Sequence, residues 1–256
     1  MPEIWENPFG NAQLKIERAK KHTADIDERL QASSDRYGPS LHINADTGKQ
    51  FLHYGLTDRF LRSDIALIVG DAIHNLHSAL DIAYRETIRV ISPNGFSPSK
   101  TKFIVGNDRK HLETSLTCTA RVDPASRLFD FLVEHVKSYK GKGGDADICA
   151  IHALDIDDKH HLLIPMLAVT GIEGVELESE DGTIDRYTIV LTRPNSYRKA
   201  VPFGSKLKNH GQVIFKITFG QGTALDDAEV VPTLNRFYGK TREIVREFQR
   251  IIRESR

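Results

Sequence analysis

The sequence predicts an α+β protein: a helical bundle with an antiparallel β-sheet portion and a long C-terminal helix. Three observations predict it. Up to about position 164, apolar residues recur mostly at helical spacing; residues 165–222 change to β-prone runs separated by turn signals; and 230–254 closes the chain with a strongly two-faced helix. No long linker separates these parts, so 1–256 reads as one α+β domain, with a sheet of about three to five strands.

The elements follow in order. Ala12, Ile16, Ala19, Ile26 and Leu30 mark a first helix. SLHINADTGKQFLHYGL, residues 40–56, places two β-leaning pieces around Asp46-Thr47-Gly48 and predicts a hairpin. Residues 62–90 form a long helix stopped by Ser92-Pro93-Asn94-Gly95. KFIV reads as a short extended piece, followed by a short helix near 108–116. Asp123-Pro124 opens a helix with proline in its first turn, KGKGG breaks it, and Asp145 starts another helix running to Pro165. In the β-rich part, turns are expected at Asp181-Gly182 and Asn209-His210-Gly211. In the last helix Val230, Leu234, Phe237, Tyr238, Thr241, Ile244, Val245, Phe248 and Ile252 share a face.

Lys+Arg and Asp+Glu balance at 35 each, so net charge does not indicate nucleic acid. No apolar run reaches the ~18 residues of a membrane span. MPEIWENPFG lacks the apolar core of a signal peptide, and two cysteines give neither a disulfide framework nor a zinc-type cluster. A reducing, cytoplasmic setting is the natural expectation.

Two polar clusters carry the chemistry. In GDAIHNLHSALD, residues 70–81, Val69, Ala72, Ile73, Leu76, Leu80 and Ala83 gather on one side of the helix, and His74, His77, Asp81 and Arg85 on the other. Asn75 and Ile82 lie on a flank. A polar stripe opposite an apolar one is what a surface helix shows; but the preceding DIALIV is apolar nearly all round, and a polar stripe on such a helix tends to face another helix or a cavity. In DIDDKHH, residues 155–161, Asp158 and His161 fall near Ala150, Ile151 and Leu154, with Asp157 close by and His160 further round. Asp158–His161 and Asp157–His161 can touch at i,i+3 and i,i+4; a helix C-terminal turn favouring Lys and His is the plainer reading.

Neutral imidazoles and carboxylates on facing helices suit acid–base work, and they also suit a divalent metal, with His74, His77, Asp81, Asp157 and His160 as candidate ligands. Within such a pocket His74, His77, Asp81, Asp158, His160 and His161 are the candidate catalytic groups. Asn75, Lys159 and Arg85 are candidates to hold a small-molecule or nucleotide-like, anionic ligand. No nucleophile of a familiar type accompanies them: there is no serine elbow, and neither cysteine has a neighbouring histidine. Walker and dinucleotide glycine motifs are missing too. KSYKGKGG and SYRKAVPFGSKLKNHG offer positive charge and read as solvated loops.

GDAIHNLHSALDI and DIDDKHHLL resemble the HNLRSALDH-like and DKHR-like helix motifs of an uncharacterised bacterial protein family, and the layout of elements is similar over most of the chain. The matched positions are His74, Asn75, Leu80 and Asp81, then Asp158, Lys159 and His160. The family's two arginines are His77 and His161 here, and its closing histidine is Ile82. Imidazoles cannot reproduce an arginine fork, so the paired change suggests one remodelled site. The family's RSALDH piece also fits the Arg/His signature of HEPN-type ribonucleases, which commonly act across a homodimer interface. This chain lacks both ends of that piece. The resemblance therefore implies a HEPN-like RNA-processing or defence protein without the standard Arg–His pair, beside two other readings: a hydrolase-like pocket and a non-enzymatic binding or assembly module.

Overall fold

A computed structural model describes residues 8–34, 39–44, 47–55, 59–160, 166–190, 196–220 and 223–255. The order of elements is α1 (Pro8–Ser34), β1 (Ser40–Ile43), β2 (Gln50–Gly55), α2 (Arg59–Ile91), α3 (Arg109–Thr114), α4 (Arg127–Asp130), α5 (Ala146–His160), β3 (Met166–Glu178), β4 (Ile184–Val190), β5 (Ser196–Val201), β6 (Lys206–Thr218) and α6 (Val230–Glu254). The class is α+β, with the long closing helix in place.

Helix α2 is the axis of the bundle because it is apolar on more than one side. Ile65, Ala66, Val69, Ala72, Ile73, Leu76, Ala79, Leu80, Ala83, Tyr84 and Ile88 are all buried. It packs against α1, α6 and α5. Helix α6 is narrower in its burial: Leu234, Phe237, Ile244, Val245, Phe248 and Ile251 face inward. Tyr238, placed on that face by the sequence, is only half-buried.

The strands form two three-stranded antiparallel sheets, ordered β1–β2–β5 and β4–β3–β6, rather than one sheet. The expected hairpin is β1–β2. Its third strand, β5, is SYRKAV, which the sequence reading placed in a solvated loop. The strand is stabilised where its cations find rings: the Arg198 guanidinium lies 4.0 Å from the Phe51 ring centre and the Lys199 ammonium 4.4 Å from that of Tyr187. In the second sheet Val169, Ile172, Val175, Leu177, Ile189, Val213 and Ile217 are buried. Ile172 and Val175 are three apart yet share the core face because the β3–β4 register shifts between them.

Three further expectations need correcting. Asn209-His210-Gly211 is not a turn but part of β6. There the pairing steps from Glu173↔Gln212 to Val175↔His210, which sets Gly174 (φ 72°) opposite Gly211 (φ 70°), in a conformation glycine adopts without penalty. KFIV is not a strand; it is a loop tied to α2 through Phe103, and only Gly106 bridges, to Tyr139. The helix expected from Pro124 starts later, where Ser126 Oγ accepts from the Phe129 N–H at 3.2 Å. It widens into a π-turn over Phe131–Val136 and stops at Lys137, which has φ 54°.

Candidate functional site

The site lies where α2 passes α5. Two features of α2 allow the approach. Gly70 has no side chain where Asp158 of α5 packs: a Cβ there would stand 2.3 Å from Asp158 Oδ1. One turn further, the stripe beginning at His74 turns its imidazoles to α5.

The carboxylate that receives them is Asp155, which is 1% exposed. Its Oδ1 accepts from His74 Nδ1 at 2.8 Å. Its Oδ2 is 3.1 Å from His77 Nδ1 and 2.5 Å from Lys159 Nζ. A carboxylate only accepts, so Nδ1 of both imidazoles carries a proton. In the neutral ring Nε2 is then an acceptor. His77 Nε2 is 3.1 Å from His152 Nδ1, so His152 donates there. His74 Nε2 is 3.4 Å from Ser78 Oγ, one helical turn along α2.

Charge and burial act on these groups in opposite senses. Burial raises the cost of ionising Asp155, yet the hydrogen bonds from His77, Lys159 and His74 outweigh it and hold its carboxyl well below the usual carboxylate range. Desolvation, aided by His77 and Lys140, pushes His152 below its ordinary value against the pull of Asp155 and Asp81. The network is therefore one fixed anion, one lysine cation and imidazoles that share them.

His74 is the open imidazole of the Asp155 pair; its side chain is 48% exposed, against 9% for His77. Its ring borders a cleft of about 620 Å³ between α1 and α2. That cleft also takes Lys15, Arg18, His22, Asp71 and Asn75. Arg18 Nε donates to His22 Nε2 at 3.1 Å, and burial together with the Arg18 charge lowers the His22 pKa. Asp71 is the single carboxylate among the lining residues, against two cations.

The other expected residues fall as follows. Asn75 is buried on the flank of α2 and donates to the Asp71 carbonyl at 2.7 Å. Asp81 makes its hydrogen bond outside the network, where its Oδ1 accepts from the Phe103 N–H at 2.8 Å, and its Oδ2 stands 4.0 Å from His77 Nδ1, within ion-pair range when that ring is charged. Lys159 is committed to Asp155. Arg85 is exposed and lines a small depression with Asp81, Ser99 and Lys102. Asp157 is half-buried, and its side chain hydrogen-bonds nothing among the described residues. The His160 side chain and all of His161 lie outside the described residues, so the expected pairing of His77 with His161 does too. Among the described residues, no group of three or more His, Cys, Asp or Glu side chains is arranged to hold a metal ion. No described helix is long and apolar enough to cross a membrane.

No family model, curated protein or solved structure matches this chain.

Sequence reasoning missed Asp155, His152 and Ser78. A signal was present. Positions 152, 155 and 159 repeat the three-then-four spacing of 74, 77 and 81, so two polar ladders of equal pitch could face each other across a helix pair. Asp155 also stands one turn beyond Ile151, which is fully buried. Ser78 stands four residues after His74, the spacing at which helix side chains meet.

Proposed function

We propose that the His74–Asp155 pair is the acid–base centre of a hydrolase-like reaction on a small anionic substrate held in the α1–α2 cleft. The supporting observation is the asymmetry of the His74 ring. Nδ1 is fixed on a buried carboxylate, and the ring borders a cleft that carries two cations. Asp155 acts as a positioning residue: it sets the tautomer and favours the imidazolium that forms when Nε2 takes a proton. Lys15 and Arg18 supply the charge that selects an anion. No metal is invoked in these steps.

The test compares hydrolysis of the 4-nitrophenyl monoester of succinic acid with that of 4-nitrophenyl acetate. The anionic ester is expected to be preferred, and the preference to fall in a Lys15→Ala/Arg18→Ala double variant through KM. His74→Ala is expected to lower kcat about 100-fold or more. Asp155→Asn is expected to displace the acid limb of the pH–rate profile, which a purely structural role would leave in place. Hydrolysis by His74→Ala at the wild-type rate overturns the reading.

A second reading is favoured by the saturation of Asp155, whose two oxygens take three donors. There the network is a structural clamp between α2 and α5 in a binding or assembly module. It expects unfolding of Asp155 variants with no ester hydrolysis in the wild type.

A further inference from the structure

The hydroxyl of Ser78 behaves unlike those of Thr23 on α1 and Thr87 on α2, which turn back to the carbonyl four residues earlier, at 3.1 and 2.8 Å. That is the ordinary use of a hydroxyl inside a helix. Ser78 makes no such bond; its Oγ points to His74 Nε2, at 3.4 Å. His74 Nδ1 in turn rests on Asp155 Oδ1 at 2.8 Å. Hydroxyl, imidazole and buried carboxylate thus stand in line, with the imidazole tautomer that leaves Nε2 free to accept.

The surroundings extend that line to a substrate. His74, Asn75 and Ile82 of α2 line the α1–α2 cleft; Ser78 is not itself in that lining but stands between them along the helix, one turn after His74 and one before Ile82. Its side chain is half-buried, not sealed.

Resting on the acid–base reading of His74, we propose that Ser78 is the nucleophile of this site and that its substrates are carboxylic esters bearing an anionic group. Ser78 Oγ forms a bond to the ester carbonyl carbon while its proton passes to His74 Nε2. Collapse of the tetrahedral adduct breaks the bond to the alcohol oxygen, which leaves with that proton. Water then attacks the acyl–serine by the same path, releasing a carboxylate and restoring the Ser78 hydroxyl. The backbone N–H groups around Ser78 are committed inside α2, so an oxyanion has no backbone hole here. Lys15 and Arg18 of the cleft lining are the side chains proposed to donate to it. Esters with good leaving groups are therefore the favoured class, since they ask least of the oxyanion donors.

The experiment uses a fluorophosphonate, which transfers its phosphonyl group to a nucleophilic serine and releases fluoride. One adduct per chain is expected, mapped by peptide mass spectrometry to Ser78, and formed about 100-fold more slowly in His74→Ala. Ser78→Ala favours the helix, so loss of the adduct in that variant is not loss of the fold; far-ultraviolet circular dichroism checks this. No adduct at Ser78, or one formed as fast in His74→Ala, overturns the proposal. Ester hydrolysis separates the two readings. Turnover that survives Ser78→Ala but not His74→Ala removes the nucleophile and leaves the acid–base centre; turnover that survives His74→Ala removes both.

Discussion

Helix α2 makes two different interfaces along its length. Towards α6 it is dry and aromatic: Tyr84 stands 5.9 Å from Phe103 and 6.2 Å from Phe248, ring centre to ring centre, and Phe131 closes on Phe248 at 5.6 Å. Towards α5 it is polar, with an anion, a lysine and three imidazoles in mutual contact. The first interface stabilises through burial, a few kcal/mol for each large ring. The second cannot be explained that way, because a buried ionic network is often no more stable than apolar residues of the same volume. A chain that could close α2 on α5 with leucines closes it with histidines instead. Packing accounts for the α6 side; the α5 side is where the proposed acid–base centre is placed.

Mutation can break this contrast. Phe248→Ala is expected to cost about 3–5 kcal/mol in chemical denaturation, with the same cost at pH 5 and pH 8. Asp155→Ala is expected to cost about 3 kcal/mol, because it leaves a lysine and two imidazoles without their acceptor. Its cost should depend on pH. The Asp155 carboxyl is held below its ordinary value of 3.8, so its contribution is present above that pH and is lost as pH falls towards the lowered value. His152 is also lowered, from 6.5, because burial disfavours its charged form. The unfolded chain therefore takes up a proton that the folded one refuses, and stability declines as pH falls below about 6.5. In His152→Ala that decline should be shallower between pH 6.5 and pH 5. An equal pH slope in wild type and variant would detach His152 from the network.

Smaller effects sharpen the same contrast. Gly70→Ala should shift the melting temperature down by a few degrees, since its Cβ meets the Asp158 carboxylate; an unchanged melting temperature would mean that α2 and α5 part easily. Tyr84→Phe should be neutral or stabilising by up to about 1 kcal/mol, because the Tyr84 hydroxyl is buried without a partner among the described residues. A loss of more than that would reveal a polar contact inside the aromatic side.

The two interfaces also differ in how far they could be read from the chain. The α6 face was legible because its large apolar residues keep helical spacing over the whole of Val230–Glu254. Helix α2 was legible for the same reason. The centre of the polar network was not. In DIDDKHH three carboxylates lie within four positions, and the helical wheel admits both Asp155 and Asp158 to the interior. Which of them meets the imidazoles depends on the phase and approach of α2, and those are fixed partly by Gly70. The hydrogen-bond partner of Asp81 was hidden for a related reason: it is a backbone N–H in a loop, which no side-chain pattern announces. Strand β5 was hidden because its arginine and lysine look solvated until the rings beneath them are known.

The sheet β1–β2–β5 has a consequence for the order of assembly. β1 and β2 are neighbours in the chain, but β2 is completed by β5, and Gln50 Nε2 reaches the Ser205 carbonyl 155 positions away, at 2.7 Å. Closing so long a loop is slow compared with forming helices or hairpins. During folding, β2 therefore waits with one edge unpaired, a template for another copy of the chain. Refolding yield should fall with protein concentration, and backbone amides of β5 should gain protection from hydrogen exchange after those of α2. Simultaneous protection of the two would show that the hairpin never stands open.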